Sequence, residues 1–498
     1  MSIIGLSFGF HDAGVSVIKD GDILFAGHAE RYSKVKNDGN LNSGIITDAL
    51  RFGEPETVAY YENPLLKASR LLYTGQFNDL RHQRFTVHGL VNQQLGEWPF
   101  GKAATATYGH HKSHAAAGFQ TSPFEEATVI VTDAIGEWNS ITIWQASYDK
   151  TGTAQYKQLW KINYPNSVGL FYSAVTDLVG LRAMDEEYIL MGMSAYGRPR
   201  YYNELVGKYF ANGDLLKVKE NVHLGIKDNH IVKDEQDAYD YARSTQMILE
   251  AQLRRILNQA KTLNESNNLV YAGGVALNCL ANRLLGEWYK NIWIMPNPGD
   301  AGSSLGAAAL AYGKKLNWVD AYLGKSIGRE YPVEGLLAEL QKTGIVGVAN
   351  GQAEFGPRAL GNRSLLADPR GKNIKEKVNE IKQRQKFRPF APVILEEHVH
   401  KHFDMPKNWN SSPYMQAVAR CKRPWDFPAI VHKDGTSRVQ TVPANCRSGI
   451  RQLLEAWYEA TGCPMLLNTS LNVRGQPIVN DEADAQAFQD LYKVKVLT

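Results

Sequence analysis

"IIGLSFGFHDAGVSVIKDGDILFAGHAE", residues 3–30, sets short apolar runs against glycines and turn residues. Asp20-Gly21 stands between two of these runs, and an Asp-Gly pair supplies the positive φ that a two-residue hairpin turn demands. The stretch reads as strand, turn at His11 to Gly14, strand, tight turn, strand. A second stretch, "ATVIVTDAIGEWNSITIWQAS" at 127–147, repeats the grammar as apolar strand, acidic-glycine turn, strand. The two share little identity. Each nevertheless opens with a strand that ends in a polar turn, which predicts a duplicated architecture with a cleft between two similar halves.

Working outward, residues 40 to 120 have mixed polarity and read as helices and loops. Residues 236–264 carry apolar side chains at helical spacing with no internal Gly or Pro, and predict one long helix. Behind it, "NNLVYAGGVALNCLANR" reads as a short strand, paired glycines and a helix start. The character of the chain changes between 335 and 350, and the remainder has its own strands at "APVILEE", "SRVQTVP" and "PMLLNTSL". A chain of 498 residues exceeds what one core usually supports, so two domains are expected.

Composition narrows the function classes. With 44% hydrophobic, 10% aromatic and 21% charged residues the chain has the profile of a globular protein. A net charge of +4 does not by itself demand a nucleic-acid partner. No run of eighteen apolar residues and no basic-apolar leader pattern is present, which predicts a soluble, cytoplasmic protein without a membrane partner. Cys279, Cys421, Cys446 and Cys463 have no CxxC spacing and are expected as free thiols. The one concentrated charge is "KNIKEKVNEIKQRQKFR" (372–388).

Chemistry-bearing residues concentrate in "YGHHKSHAAAG" (108–118). His110 and His114 are four apart before an alanine run, so on a helix they share a face, while His111 is rotated away. Such a pair grips a transition metal in some helices and is a solvated face in others. Asp133, after the apolar strand 127–132, and Asp300, in "PNPGDAGSSLGAAALA", are single carboxylates at strand or loop tips. With the histidines they make a plausible set for iron, manganese or zinc, although spacing cannot show that they converge. "YAGGVALN" (271–278), with Gly273, Gly274 and Asn278, and "GDAGSSLGA" each put glycine before a helix. There, amides can approach phosphate, or the backbone is simply closely packed.

These motifs, together with "AERYSKVKND", "GLFYSAVTDLVG", "EFGPRALGNRSLLADPR", "KFRPFAPVI", "DGTSRVQTV" and "LLNTSLNVRGQPIV", occur in an order that resembles the O-carbamoyltransferase family. That family includes the enzymes of tobramycin, novobiocin and cephamycin biosynthesis and the nodulation-factor carbamoyltransferase. The resemblance implies an α/β fold: a duplicated actin/hexokinase-like domain, related to the catalytic subunit of tRNA threonylcarbamoyladenosine synthesis, over 1–342. A YrdC-like α/β domain would follow over 343–498. It also implies that the smaller domain converts carbamoyl phosphate, ATP and Mg2+ into carbamoyl-adenylate, and that the larger passes the carbamoyl group to a hydroxyl.

Carried over by resemblance, the metal ligands fall on His110, His114, Asp133 and Asp300, usually around Fe(II). His11 becomes the general-base candidate and Lys36 a cleft lysine. Arg358, Lys382, Arg388 and Arg438 become the groups that hold phosphates, where arginine offers bidentate donors and lysine a compact charge. Asn468, Ser470 and Arg474 line the same pocket. Lys372, Lys375 and Lys377 read as solvated surface. Ile189 stands in "EYILMG" where many relatives carry lysine, a change on the acceptor side. The expected acceptor is the hydroxyl of a small natural product. Alternatives are 5-hydroxymethylcytosine in nucleotide or DNA, with Arg81, His82, Arg84 and Lys112 as a basic rim, and threonylcarbamoyladenosine synthesis on tRNA.

Overall fold

A computed structural model describes residues 1–223, 225–226 and 232–498. The chain forms two compact units, Met1–Ala29 with Asn37–Val319, and Glu30–Lys36 with Asp320–Thr498.

The first unit holds two five-stranded sheets. β1 (Ser2–Ser7), β2 (Gly14–Lys19), β3 (Asp22–His28), β4 (Thr57–Tyr60) and β5 (Ala104–Thr107) lie in the order β3-β2-β1-β4-β5. The hairpin pairs are antiparallel, and β4 and β5 are parallel to β1. The second sheet contains β6 (Glu126–Gly136), β7 (Asn139–Tyr148), β8 (Ala154–Asn163), β9 (Asn268–Ala272) and β10 (Asn291–Trp293). Its order, β10-β9-β6-β7-β8, repeats the first with the same pattern of antiparallel and parallel neighbours. The duplication is therefore a property of the topology. Asp20 and Gly21 make the expected tight turn, with φ of 52° and 96°.

The first unit also contains helices α1 (Pro64–Tyr73), α2 (His110–Phe119), α3 (Glu235–Leu263) and α4 (Ser303–Tyr312). α2 packs on β6 and β9, α4 packs on β1, β2 and β4, and the two helices pack on each other. Helices so placed are covered on every side, which is why their sequences are dominated by Ala, Ser and Gly. The crossing is close: a Cβ on Gly306 would lie 1.8 Å from the Ser113 carbonyl oxygen.

The second unit is built on a six-stranded mixed sheet of β11 (Ile345–Ala349), β12 (Arg363–Ala367), β13 (Ala391–Leu395), β14 (Gln440–Val442), β15 (Met465–Ser470) and β16 (Val496–Leu497). Their order is β14-β13-β15-β12-β11-β16. Helices α5 (Val333–Thr343), α6 (Ile374–Ile381) and α7 (Ile450–Thr461) flank it, and one apolar core runs from Leu336 through Val393 and Leu466 to Phe488. Apart from Glu30–Lys36, the unit runs from Asp320, a point earlier in the chain than the boundary expected at 342/343. The reason is local: strand Tyr322–Ile327 pairs with Gly351–Glu354, and α5 packs on β11 and α7. Among the described residues no helix is long and apolar enough to cross a membrane, and all four cysteines are unpaired.

Candidate metal centre and anion-binding residues

The site of the first unit lies where α2 and α4 begin. His110 opens α2 and His114 follows one turn later on the same face. Asp133 is carried by β6, which runs on past 132 to Gly136 instead of ending in a turn. The pairing of β6 with β7 shifts register between Thr132 and Gly136, an irregularity that re-aims side chains at Asp133. Asp300 enters from the 3-10 turn that precedes α4. His110 Nε2 lies 3.1 Å from Asp133 Oδ2, 3.4 Å from Asp300 Oδ1 and 3.1 Å from His114 Nε2. His114 Nε2 lies 3.2 and 3.3 Å from the same two carboxylates. All four side chains are buried, and one ligand atom from each lies within 4.8 Å of the others.

This donor set fits a divalent transition ion. Ligands about 2.1 Å from a tetrahedral centre stand roughly 3.4 Å apart, close to the separations seen. Each histidine turns Nε2 inward because its Nδ1 is held, on Glu62 Oε1 at 3.2 Å for His110 and on Ser303 Oγ at 3.0 Å for His114. Asp133 is held likewise, its Oδ1 accepting from the amides of Ala134 and Gly274. Without an ion, charge is balanced by protons. Burial disfavours charge on His110 and His114, yet the surrounding carboxylates raise both pKa values. Burial equally disfavours the carboxylates, and the histidines lower Asp133 and Asp300.

His11 sits at the edge of this group, with Nε2 3.9 Å from Asp300 Oδ2 and Nδ1 3.1 Å from Asp12. Burial opposes its charge, but Asp300 and Asp12 raise it to about 9. His111 is a different kind of residue: buried, bonded to Thr142 Oγ1 at 2.9 Å, and lowered to about 3 by burial and by His110. Gly136 permits the approach of both rings, since a Cβ there would lie 2.3 Å from His110. Lys112 is half-buried with its ammonium over the Tyr156 ring.

Gly273 and Gly274 serve this same region. A Cβ on Gly273 would lie 2.1 Å from the Thr132 carbonyl oxygen, and Gly274 donates to Asp133. Asn278 caps the helix that follows and pairs amide to amide with Gln246, so its side chain is already engaged. Lys36 belongs to the second unit, where both oxygens of Glu30 accept from its ammonium at 3.0 and 2.7 Å.

In the second unit Lys382 is buried and donates to the Ser470 carbonyl and hydroxyl and to Asn472 Oδ1. Burial, then the charges of Arg384 and Arg388, push its pKa well down. The Arg474 amide donates to the Lys382 carbonyl. Asn468 donates to the Ala359 carbonyl and to Gln440, which draws the backbone beside Arg358 and Arg438 to the end of β15. Asn468 Oδ1 and Arg438 Nε are buried without a hydrogen-bond partner within the chain. Lys372 and Lys377 are exposed and Lys375 half-buried.

Residues 92–309 match the model described as carbamoyltransferase N-terminus, and residues 337–498 match carbamoyltransferase C-terminus. The chain belongs to the carbamoyltransferase family. It is 32% identical to the uncharacterized protein sll1178 of Synechocystis, over 97% of this chain and 93% of that one. With nodulation protein NolO of Bradyrhizobium diazoefficiens it shares 32% identity, over 76% and 75% of the two chains. Among solved structures, full-length HypF in the phosphate- and nucleotide-bound form matches at 14% identity and a TM-score of 0.33, over 62% of this chain and 55% of that one. A likeness so low bears on no further point.

The first family match contains the whole tetrad, and the second contains Arg358, Lys382, Arg388, Arg438 and Arg474. Glu62, Ser303 and Glu137 escaped the sequence reading. Glu137 accepts from the amides of Asn63 and His110 and so fixes the start of α2. The available signal was weak: Glu62 is one carboxylate after a buried Tyr-Tyr pair, with Lys67 as its local partner at 2.8 Å, and its contact with His110 spans 48 residues of chain.

Proposed function

We propose that this carbamoyltransferase uses carbamoyl phosphate and ATP, with Mg2+, to carbamoylate an acceptor hydroxyl through carbamoyl-adenylate. The observation that carries the reading is the convergence of His110, His114, Asp133 and Asp300, in a chain of this family, at the edge of which His11 stands. In the second unit, assigned here a YrdC-like role, Arg358, Lys382, Arg388 and Arg438 with Asn468, Ser470 and Arg474 would bind the phosphates. Water hydrolyses carbamoyl phosphate to carbamate and inorganic phosphate; a carbamate oxygen then attacks the α-phosphorus of ATP, and pyrophosphate leaves. Collecting those negative charges is the work that cations do in phosphoryl transfer.

In the first unit, an acceptor O–H would attack the carbamoyl carbon, and the bond from that carbon to the AMP oxygen would break. His11 Nε2 would take the proton in the neutral form of the ring, which its pKa of about 9 favours only as the pH rises. A divalent ion on the tetrad, with Fe(II) preferred and Mn or Zn as alternatives, would supply Lewis-acid polarisation of an oxygen. The acceptor in the first reading is a small natural-product alcohol. Purified, metal-analysed protein given ATP and labelled carbamoyl phosphate with a panel of alcohols tests this; no label on any alcohol, with adenylate still formed, would defeat it.

A second reading, carbamoylation of 5-hydroxymethylcytosine in nucleotide or DNA, is supported by the surface beyond α1. Tyr73, Phe77 and Phe85 are 71, 58 and 53% exposed, and Arg81, His82 and Arg84 are exposed among them. Aromatic faces interleaved with cations suit bases and phosphates. Activity on hydroxymethylated DNA that exceeds activity on the free nucleoside and falls steeply with salt would select this reading.

A further inference from the structure

A cleft of about 420 Å³ opens at one end of the second unit's sheet. The topology builds it. β12 and β13 both run antiparallel to β15, so Arg370, after β12, and His398 to His402, after β13, gather beside Cys463 and Pro464, which lead into β15. Asn468 and Ser470 lie toward the opposite end of that strand. At ~3.3 Å per residue, Pro464 and Ser470 stand about 20 Å apart. The cleft is therefore separate from the residues assigned above to carbamoyl phosphate and ATP.

Its walls are aromatic. His398 meets Tyr458 edge-on with ring centroids 4.6 Å apart, and His402 meets Phe427 in the same way at 5.6 Å. Cations dominate the lining, where Arg370, Lys401 and Arg423 face a single carboxylate, Asp426. Arg370 is fixed by a two-pronged bond to Asp368 at 2.9 Å and lies over the Trp457 ring. The Arg423 pair with Asp426 is through Nε at 2.7 Å. The positive excess is felt inside: burial, followed by Lys401, His398 and Arg423, lowers His402 to about 4.

We propose that this cleft binds a phosphate monoester carried on a planar base, the size of a nucleoside monophosphate. The volume suits such a ligand, Lys401 and Arg423 suit its phosphate, and the aromatic walls suit its ring. Position at the far end of β15 makes it a second site, distinct from the residues assigned above to carbamoyl phosphate and ATP.

Calorimetric titration of the intact protein with AMP, ribose 5-phosphate and inorganic phosphate tests this, alongside K401E/R423E, K401Q/R423Q and R388A. Lys401 and Arg423 are exposed, so the Tm of these variants should match the parent. Saturable AMP binding is expected, at least tenfold tighter than ribose 5-phosphate. It should weaken at least tenfold in both double variants and hold in R388A. Absence of saturable binding, equal binding by the double variants, or loss in R388A would overturn the site. Equal affinity for the three probes would overturn the planar base.

Discussion

In the first unit, two carboxylates close around two imidazoles; in the second, Lys382 is buried beside Arg384 and Arg388. The two clusters have opposite electrostatic preferences. Around the tetrad the surroundings favour positive charge strongly enough to raise buried histidines, which burial alone would lower. Around Lys382 burial and neighbouring cations both act against its charge. A cation relieves the first cluster and an anion the second. On the mechanism proposed above, two half-reactions that need opposite charges would be kept on separate frameworks of one chain.

The sharpest way to break this contrast is Asp133→Asn. It should abolish stoichiometric metal binding and lower transfer by about 10³-fold, while carbamoyl-adenylate formation persists; metal analysis and single-turnover assays read the two separately. Lys382→Met should do the reverse, cutting adenylate formation by about 10²-fold with metal content unchanged. It should also cost about 1–3 kcal/mol in urea unfolding, because the Ser470 carbonyl and Asn472 lose their buried donor. Equal loss of both steps in either variant would refute the division.

Smaller effects sharpen it. Glu62→Gln keeps the shape but weakens the hold on His110 Nδ1, and should lower metal affinity about 10- to 100-fold by chelator competition, leaving adenylate formation intact. Lys372→Ala and Lys377→Ala sit in the same basic run as Lys382 but on its exposed side. Both should alter stability by less than about 0.5 kcal/mol and leave both steps unchanged.

Some of this was legible in the residues. Asp20-Gly21, the 3.6-residue pattern of α3 and the spacing of His110 and His114 are local signals, and each gave its element or face. The family motifs did more, bringing Asp133 and Asp300 into one set that spacing could not assemble. What stayed hidden is what depends on packing. β4 (TVAY) and β5 (ATAT) are too short to show a period and exist because β1 offers an edge. The continuation of β6 through Asp133 hinges on a register shift, and Glu62 is a partner of His110 only across the fold. Lys36 matched a family motif, but the chain segment that carries it joins the other unit.

That segment, Glu30–Lys36, sets a timetable for synthesis. Arg31 is buried and donates to the carbonyl of Gly356, a partner 325 residues later in the chain. At ribosomal rates of about 5–20 residues per second, the segment waits roughly half a minute for the surroundings it needs. Throughout that interval the segment near the start of the chain lacks the partner that its buried Arg31 has in the finished fold.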